Sequence, residues 1–191
     1  YKGGRLAYQE AGKGPDLFFL HGMNGSSSSW LHIFEALAPS FHVVAWDAPS
    51  FGASDVFGDK IEDYVDAAKA LMQAVEIRKA IVIGHSMGGV IATQLAADRE
   101  CSTAGLVLSS THLGFGLPAS APLMERYATR IDNIESEGVN TAYGLERAKR
   151  STPEGTSQAV IRFLAEIASG ARIEGIRDGG RMSQEADNAK I

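Results

Sequence analysis

One cysteine, Cys101, in 191 residues means that no disulfide can form within the chain. No apolar run approaches the ~20 residues that a helix needs to cross a bilayer, which excludes a membrane-spanning helix. Basic side chains are the minority, 18 against 23 acidic for a formal charge of −5. No stretch concentrates Lys and Arg, so nucleic acid is not an expected partner. His, Cys, Asp and Glu nowhere recur at metal-ligand spacing, and no phosphate-cradling glycine loop is present, so neither metal nor cofactor is expected. There is no internal repeat, and no low-complexity tract beyond Ser26-Ser27-Ser28-Ser29. No secretory leader pattern opens the chain, and a cytoplasmic location is expected. The start at Tyr1 rather than methionine leaves a trimmed leader open.

What is present is a 45% hydrophobic composition, enough for one globular unit with a core. Up to about Thr111, short β-rich runs alternate with longer helical ones, the pattern of a mostly parallel sheet covered by helices on both faces. Strands are predicted at Leu6 to Glu10, Leu17 to Leu20, Phe41 to Ala45, Ala80 to Ile83 and Ala104 to Leu108. Helices are predicted from Ser29 to Leu37, from Ile61 to about Ile77 and from Val90 to Ala97. The second is amphipathic through Ile61, Val65, Ala68, Leu71, Met72 and Val75. From His112 onward β-branched runs vanish and helix-period segments take over. Leu123, Tyr127, Ile131 and Ile134 share one face, and Val160, Phe163, Leu164 and Ile167 another. Packing within this insert explains both stripes, and they equally suit the roof of a pocket.

The chemistry is concentrated at Gly84-His85-Ser86-Met87-Gly88, a G-x-S-x-G sequence between a strand and a helix. In that setting the serine sits on a turn so tight that its Oγ stands clear at the carboxyl edge of the sheet, which requires neighbours without bulk. The following helix directs its free N–H groups toward the same point. Ser86 is the candidate nucleophile.

Three segments in order, His21-Gly22-Met23-Asn24-Gly25-Ser26, then Asp47-Ala48-Pro49-Ser50-Phe51-Gly52-Ala53-Ser54-Asp55, then Gly84-His85-Ser86-Met87-Gly88-Gly89, resemble the α/β-hydrolase superfamily. Trp46-Asp47-Ala48-Pro49, Ser110-Thr111-His112-Leu113-Gly114-Phe115-Gly116 and Arg181-Met182-Ser183-Gln184-Glu185-Ala186-Asp187 look like its branch of 3-oxoadipate enol-lactonases and related bacterial esterases. The resemblance implies an α/β-hydrolase core over residues 1–111, a helical lid over residues 112–189 and the start of a return to the core at residues 190–191. It also implies that the backbone N–H groups of Met23 and Met87 form the oxyanion hole, where losing one donor costs about 3 kcal/mol of barrier. Asp47 becomes a turn residue bonded to backbone. Ser50 replaces the glycine usual at its position, and a positive φ there would add roughly 1 kcal/mol of strain.

A serine nucleophile needs a base and an orienting acid, in the chain order Ser, Asp or Glu, His. Downstream of Ser86 the only histidine is His112, and the only acids before it are Asp98 and Glu100. Twelve helical residues put Asp98 roughly 18 Å from the serine, at the opposite edge of the sheet. His21 belongs to the oxyanion loop, His85 is expected to turn away, and His32 and His42 suit ordinary surface or core positions. His112 enters the insert beside the pocket, and Ser110 stands where some relatives carry their acid.

The expectation is that the C-terminal strands of the fold, with acid and base, lie outside these residues. The Leu106-Val107-Leu108 strand would then be an open edge. A complementing C-terminal segment or a homo-oligomer would supply the missing part, and this chain alone is expected to be inactive. Complete, it is expected to cleave a small-molecule ester or lactone through an acyl-enzyme at Ser86. Cofactor-independent C–C cleavage and haloperoxidase-like chemistry suit the same fold. The alternative from another class is a ligand-binding or catalytically silent protein. Arg126, Arg130, Arg147 and Arg150 are expected to face water, with contact to a substrate carboxylate as the lesser alternative.

Overall fold

A computed structural model describes residues 1–191. Five strands, β1 (Tyr8–Ala11), β2 (Asp16–Leu20), β3 (His42–Trp46), β4 (Ala80–His85) and β5 (Thr103–Ser109), form one sheet in the order β1-β3-β2-β4-β5. β1 runs antiparallel to β3, and every other pairing is parallel. Continuous apolar runs suit strands covered on both faces. From β2 and β3, Phe18, Leu20, Val44 and Trp46 point into the larger core, while Leu17, Phe19, Val43 and Ala45 point into the smaller one.

Helices α2 (Ile61–Ala74) and α3 (Met87–Ala97) cover the first face through Leu71, Met72, Val90, Ile91 and Leu95. Helix α1 (Leu31–Leu37) covers the second through Phe34. The amphipathic stripe predicted on α2 is observed, with Ala68, Leu71 and Met72 buried and Ile61, Val65 and Val75 packed at its margin. The first strand lies one to two residues later than the predicted Leu6 to Glu10. Helix α3 begins at Met87 rather than Val90, because the chain turns into the helix at Ser86 itself.

Beyond β5 the chain makes a helical excursion of α4 (Glu125–Glu137), α5 (Thr141–Arg150), α6 (Gln158–Ala168) and α7 (Ile173–Glu185). Its two ends run side by side. Gly114 and Asp187 form an isolated antiparallel bridge. Gly116 N–H donates to Ala186 O at 2.9 Å, and Asn188 N–H to Leu113 O at 2.7 Å. Asn188 is tied in turn to α3, its Nδ2 donating to Val90 O at 3.0 Å and its Oδ1 accepting from Gln94 at 2.9 Å.

Helix α7 belongs to the main core, where Met182 and the following Ala186 are buried with the residues of α2 and α3. It carries three glycines, which lower helix propensity by about 1 kcal/mol each. Close packing explains their presence: a Cβ on Gly179 would stand 2.8 Å from Met87 Sδ and 3.0 Å from Phe51 Cζ. No helix of the chain is long and apolar enough to cross a membrane. The outer edge of β5 has no partner strand, and Leu106, Val107 and Leu108 are exposed there.

Candidate active site

Ser86 sits at the end of β4 with φ 51° and ψ −118°, a conformation that costs a non-glycine residue on the order of 1–3 kcal/mol. Three hydrogen bonds hold it there. Its N–H donates to Ser109 O at 3.0 Å, and its carbonyl accepts from Gly89 N at 2.9 Å and from Thr111 Oγ1 at 2.7 Å. The helix start is pressed against the end of β2, since a Cβ on Gly88 would meet Leu20 O at 2.1 Å. Any larger residue would force helix and strand apart.

The loop after β2 lies directly over this turn. A Cβ on Gly22 would be 3.0 Å from Ser86 Cβ, and Gly25 N–H closes the loop onto Gly22 O at 2.9 Å. Ser86, Met23 and Met87 line the same cavity, of about 1000 Å³. The Met87 side chain points away into the core, and its amide, first in α3, has no acceptor one turn earlier. Met23 N–H donates no hydrogen bond within the chain.

Buried His21 fixes the loop from below. Its Nδ1 contacts Gly22 O at 2.8 Å and its Nε2 accepts from Ala48 N–H at 3.0 Å, which defines a neutral Nδ1–H tautomer. Burial lowers its pKa, so the ring stays neutral. Asp47 is fully used as a turn residue, Oδ1 accepting from Ser27 N at 2.7 Å and Oδ2 from Ala53 N at 2.9 Å. Ser50 has the positive φ anticipated for it, 71°, and its buried hydroxyl donates to Asp178 Oδ2 of α7 at 2.7 Å.

The other histidines have separate settings. His112 lines the cavity with its Nδ1 accepting from Gly114 N at 3.0 Å, which leaves the proton of the neutral ring on Nε2. Burial, then the charge of Arg126, lowers its pKa. His85, expected to turn away, is exposed and lines the cavity. His32 packs on Phe163 with ring centroids 4.8 Å apart. His42 bridges Asp16 at 2.6 Å and Glu10 at 2.8 Å at the far end of the sheet. Asp98 and Glu100 are tied to Lys69, each at 2.8 Å, and have no part in the site.

Arg130, expected from the sequence to face water, is buried instead. It lies between Tyr127 and Ile134 on the buried face of α4 and is only 8% exposed. Its Nε donates to Tyr143 Oη of α5 at 2.7 Å, and its Nη2 to Asn24 Oδ1 in the loop beside Met23. Positions 127, 130 and 134 share a helical face, and that spacing was the available signal. Arg126, Arg147 and Arg150 line the cavity as well.

A family model described as alpha/beta hydrolase matches residues 17–182. The chain belongs to the alpha/beta hydrolase family. Among family members, it is 32% identical over 179 residues to a putative non-heme haloperoxidase of Mycobacterium phage D29, covering 89% of this chain and 63% of that protein. It is 35% identical over 138 residues to the dihydrolipoyllysine-residue acetyltransferase component of the acetoin cleaving system of Cupriavidus necator, covering 71% of this chain and 37% of that one. The chain thus spans less than two thirds of the length of either. The enol-lactonase of Burkholderia xenovorans LB400 shares the fold, with a TM-score of 0.80 at 21% identity, over 97% of this chain and 72% of the enol-lactonase.

Proposed function

We propose that the chain carries the nucleophile, oxyanion hole and lid of a serine hydrolase acting on a small-molecule ester or lactone. The observation that carries this is the backbone of Ser86 at φ 51°, ψ −118°, held at a strand end beneath a glycine loop. In the reaction, Ser86 Oγ adds to the carbonyl carbon, and the N–H groups of Met23 and Met87 receive the negative charge that develops on the carbonyl oxygen. Collapse of the tetrahedral intermediate expels the alcohol and leaves an ester at Ser86, which water then cleaves. Within residues 112–189, α4 to α6 serve as the lid, while α7 packs into the main core and so narrows the lid expected from the sequence.

Deprotonation of Ser86 needs a base, and His21 and His112 have their Nδ1 atoms committed elsewhere. Under this proposal base and acid are supplied by a segment outside residues 1–191, docked along the open edge of β5. It belongs to the same polypeptide or to a second copy.

The test is a fluorophosphonate probe applied to the full-length protein. Covalent labelling should map to Ser86 and disappear in Ser86→Ala. Absence of labelling in a folded sample would refute the proposal. It would favour a catalytically silent binding protein, a reading that the absence of any hydrogen bond between a carboxylate and the rings of His21, His85 or His112 also favours.

A further inference from the structure

Three guanidinium groups in the cavity wall, those of Arg126, Arg130 and Arg147, have no carboxylate partner, and Arg126 instead lies over the rings of Phe115 and Tyr127. Arg130 is 8% exposed, lines the cavity and forms no ion pair, its hydrogen bonds going to neutral Tyr143 and Asn24. An Arg has five N–H donors, and these two bonds use two of them. Arg147, one turn beyond Tyr143 on α5, lines the same wall with its Nε buried and without a partner. Burial draws Arg130 below the ordinary guanidinium value, and the nearby positive charge of Arg147 acts in the same direction. Of the acids lining the cavity, Glu125 and Glu137 form no ion pair, and Glu146 pairs with exposed Arg150 at 3.1 Å. A desolvated cation beside a second cation is costly until an anion neutralises it.

We propose that Arg130 and Arg147 form a subsite for a carboxylate carried by the substrate, at the end of the molecule away from the ester or lactone bond. Planar guanidinium forks suit a carboxylate, which they grip with two parallel hydrogen bonds. Arg130 also reaches the oxyanion loop through Asn24, so the anion is bound on a side chain that braces the loop carrying Met23. The subsite deepens the hydrolase proposal and rests on it only for the identity of the reacting bond.

The test compares the monomethyl esters of succinate, glutarate and adipate with the corresponding dimethyl esters in the full-length protein. Each pair presents the same ester with and without the distant charge. At least one half-ester should exceed its diester by about 30-fold in kcat/KM, the scale of a charge-assisted pair in a partly dry site. Arg147→Gln and Arg130→Gln should reduce that preference to about 3-fold or less, while Arg162→Gln, outside the cavity, leaves it intact.

If Arg130→Gln fails to fold, Arg147→Gln and Arg130→Lys decide. Calorimetric titration of Ser86→Ala with glutarate and with butyrate separates the two proposals. Glutarate binding that depends on Arg147, without hydrolysis of any ester, upholds the subsite and defeats the hydrolase. Hydrolysis without preference for any half-ester, or a preference indifferent to both arginines, overturns the subsite.

Discussion

Ser50 offers a way to separate strain from hydrogen bonding at one buried position. Its φ of 71° disfavours any side chain, yet its hydroxyl makes a 2.7 Å bond to the buried carboxylate of Asp178. A hydrogen bond to a charged group contributes about 1.5–3 kcal/mol, and relief of the strained φ by glycine returns about 1 kcal/mol. Ser50→Ala keeps the strain and loses the bond, so it should destabilise by about 2 kcal/mol. Ser50→Gly loses the bond but relaxes the backbone, and should cost about 1 kcal/mol. Asp178 would retain only Arg177, at 3.0 Å, in either variant. Urea unfolding at constant m-value measures both differences. Equal midpoints for the two variants would show that the backbone is unstrained. A glycine variant as stable as the parent would show that the bond to Asp178 contributes nothing.

His42 should make stability depend on pH. Burial opposes its charged form, but the bonds to Asp16 and Glu10 outweigh that and raise its pKa above 6.5. Its contribution is fully present below the unfolded value near 6.5 and is lost as pH rises through the higher folded value. Urea midpoints of the parent should therefore exceed those of His42→Gln at pH 6, and the gap should narrow toward pH 8.5. A gap that widens with pH would reverse the sign. Gly179→Ala places a methyl 2.8 Å from Met87 Sδ and 3.0 Å from the Phe51 ring, and should destabilise by about 1–3 kcal/mol despite the better helix propensity of alanine. A thermal melt that rises instead of falling would show that α7 has room to shift.

Where chemistry depended on local backbone, it could be read from the sequence. The turn at Ser86 requires small neighbours, and Gly84, Gly88 and Gly89 stand in order around it. The positive φ at Ser50 was foreseeable because the related motif usually has glycine there. Strands β2 to β5 showed themselves as compact β-rich runs. What failed to show depended on contacts between distant segments. Helix α7 is rich in glycine, and the bulk of Met87, Phe51 and Tyr127 against it explains why Gly179 and Gly180 carry no side chain. Arg130 carries the charge of a surface residue, yet it is buried with its hydrogen bonds accepted by Tyr143 and Asn24, 13 and 106 residues away. The settings of His21 and His112 likewise come from carbonyl and amide groups that no residue letter displays.

The meeting of Gly114 with Asp187 has a consequence for how this architecture varies. Because both ends of the excursion are stitched together beside α3 and α7 is anchored in the core, the sheet does not register the length of chain that forms α4 to α6 between them. Doubling a flexible closed loop costs only about 0.6 kcal/mol of extra entropy. A cassette of different size in place of α4 to α6, with α7 kept in the core, would leave the strand register untouched while redrawing the walls around Ser86. The molecule thereby separates the part that holds its nucleophile still from the part that is free to diversify.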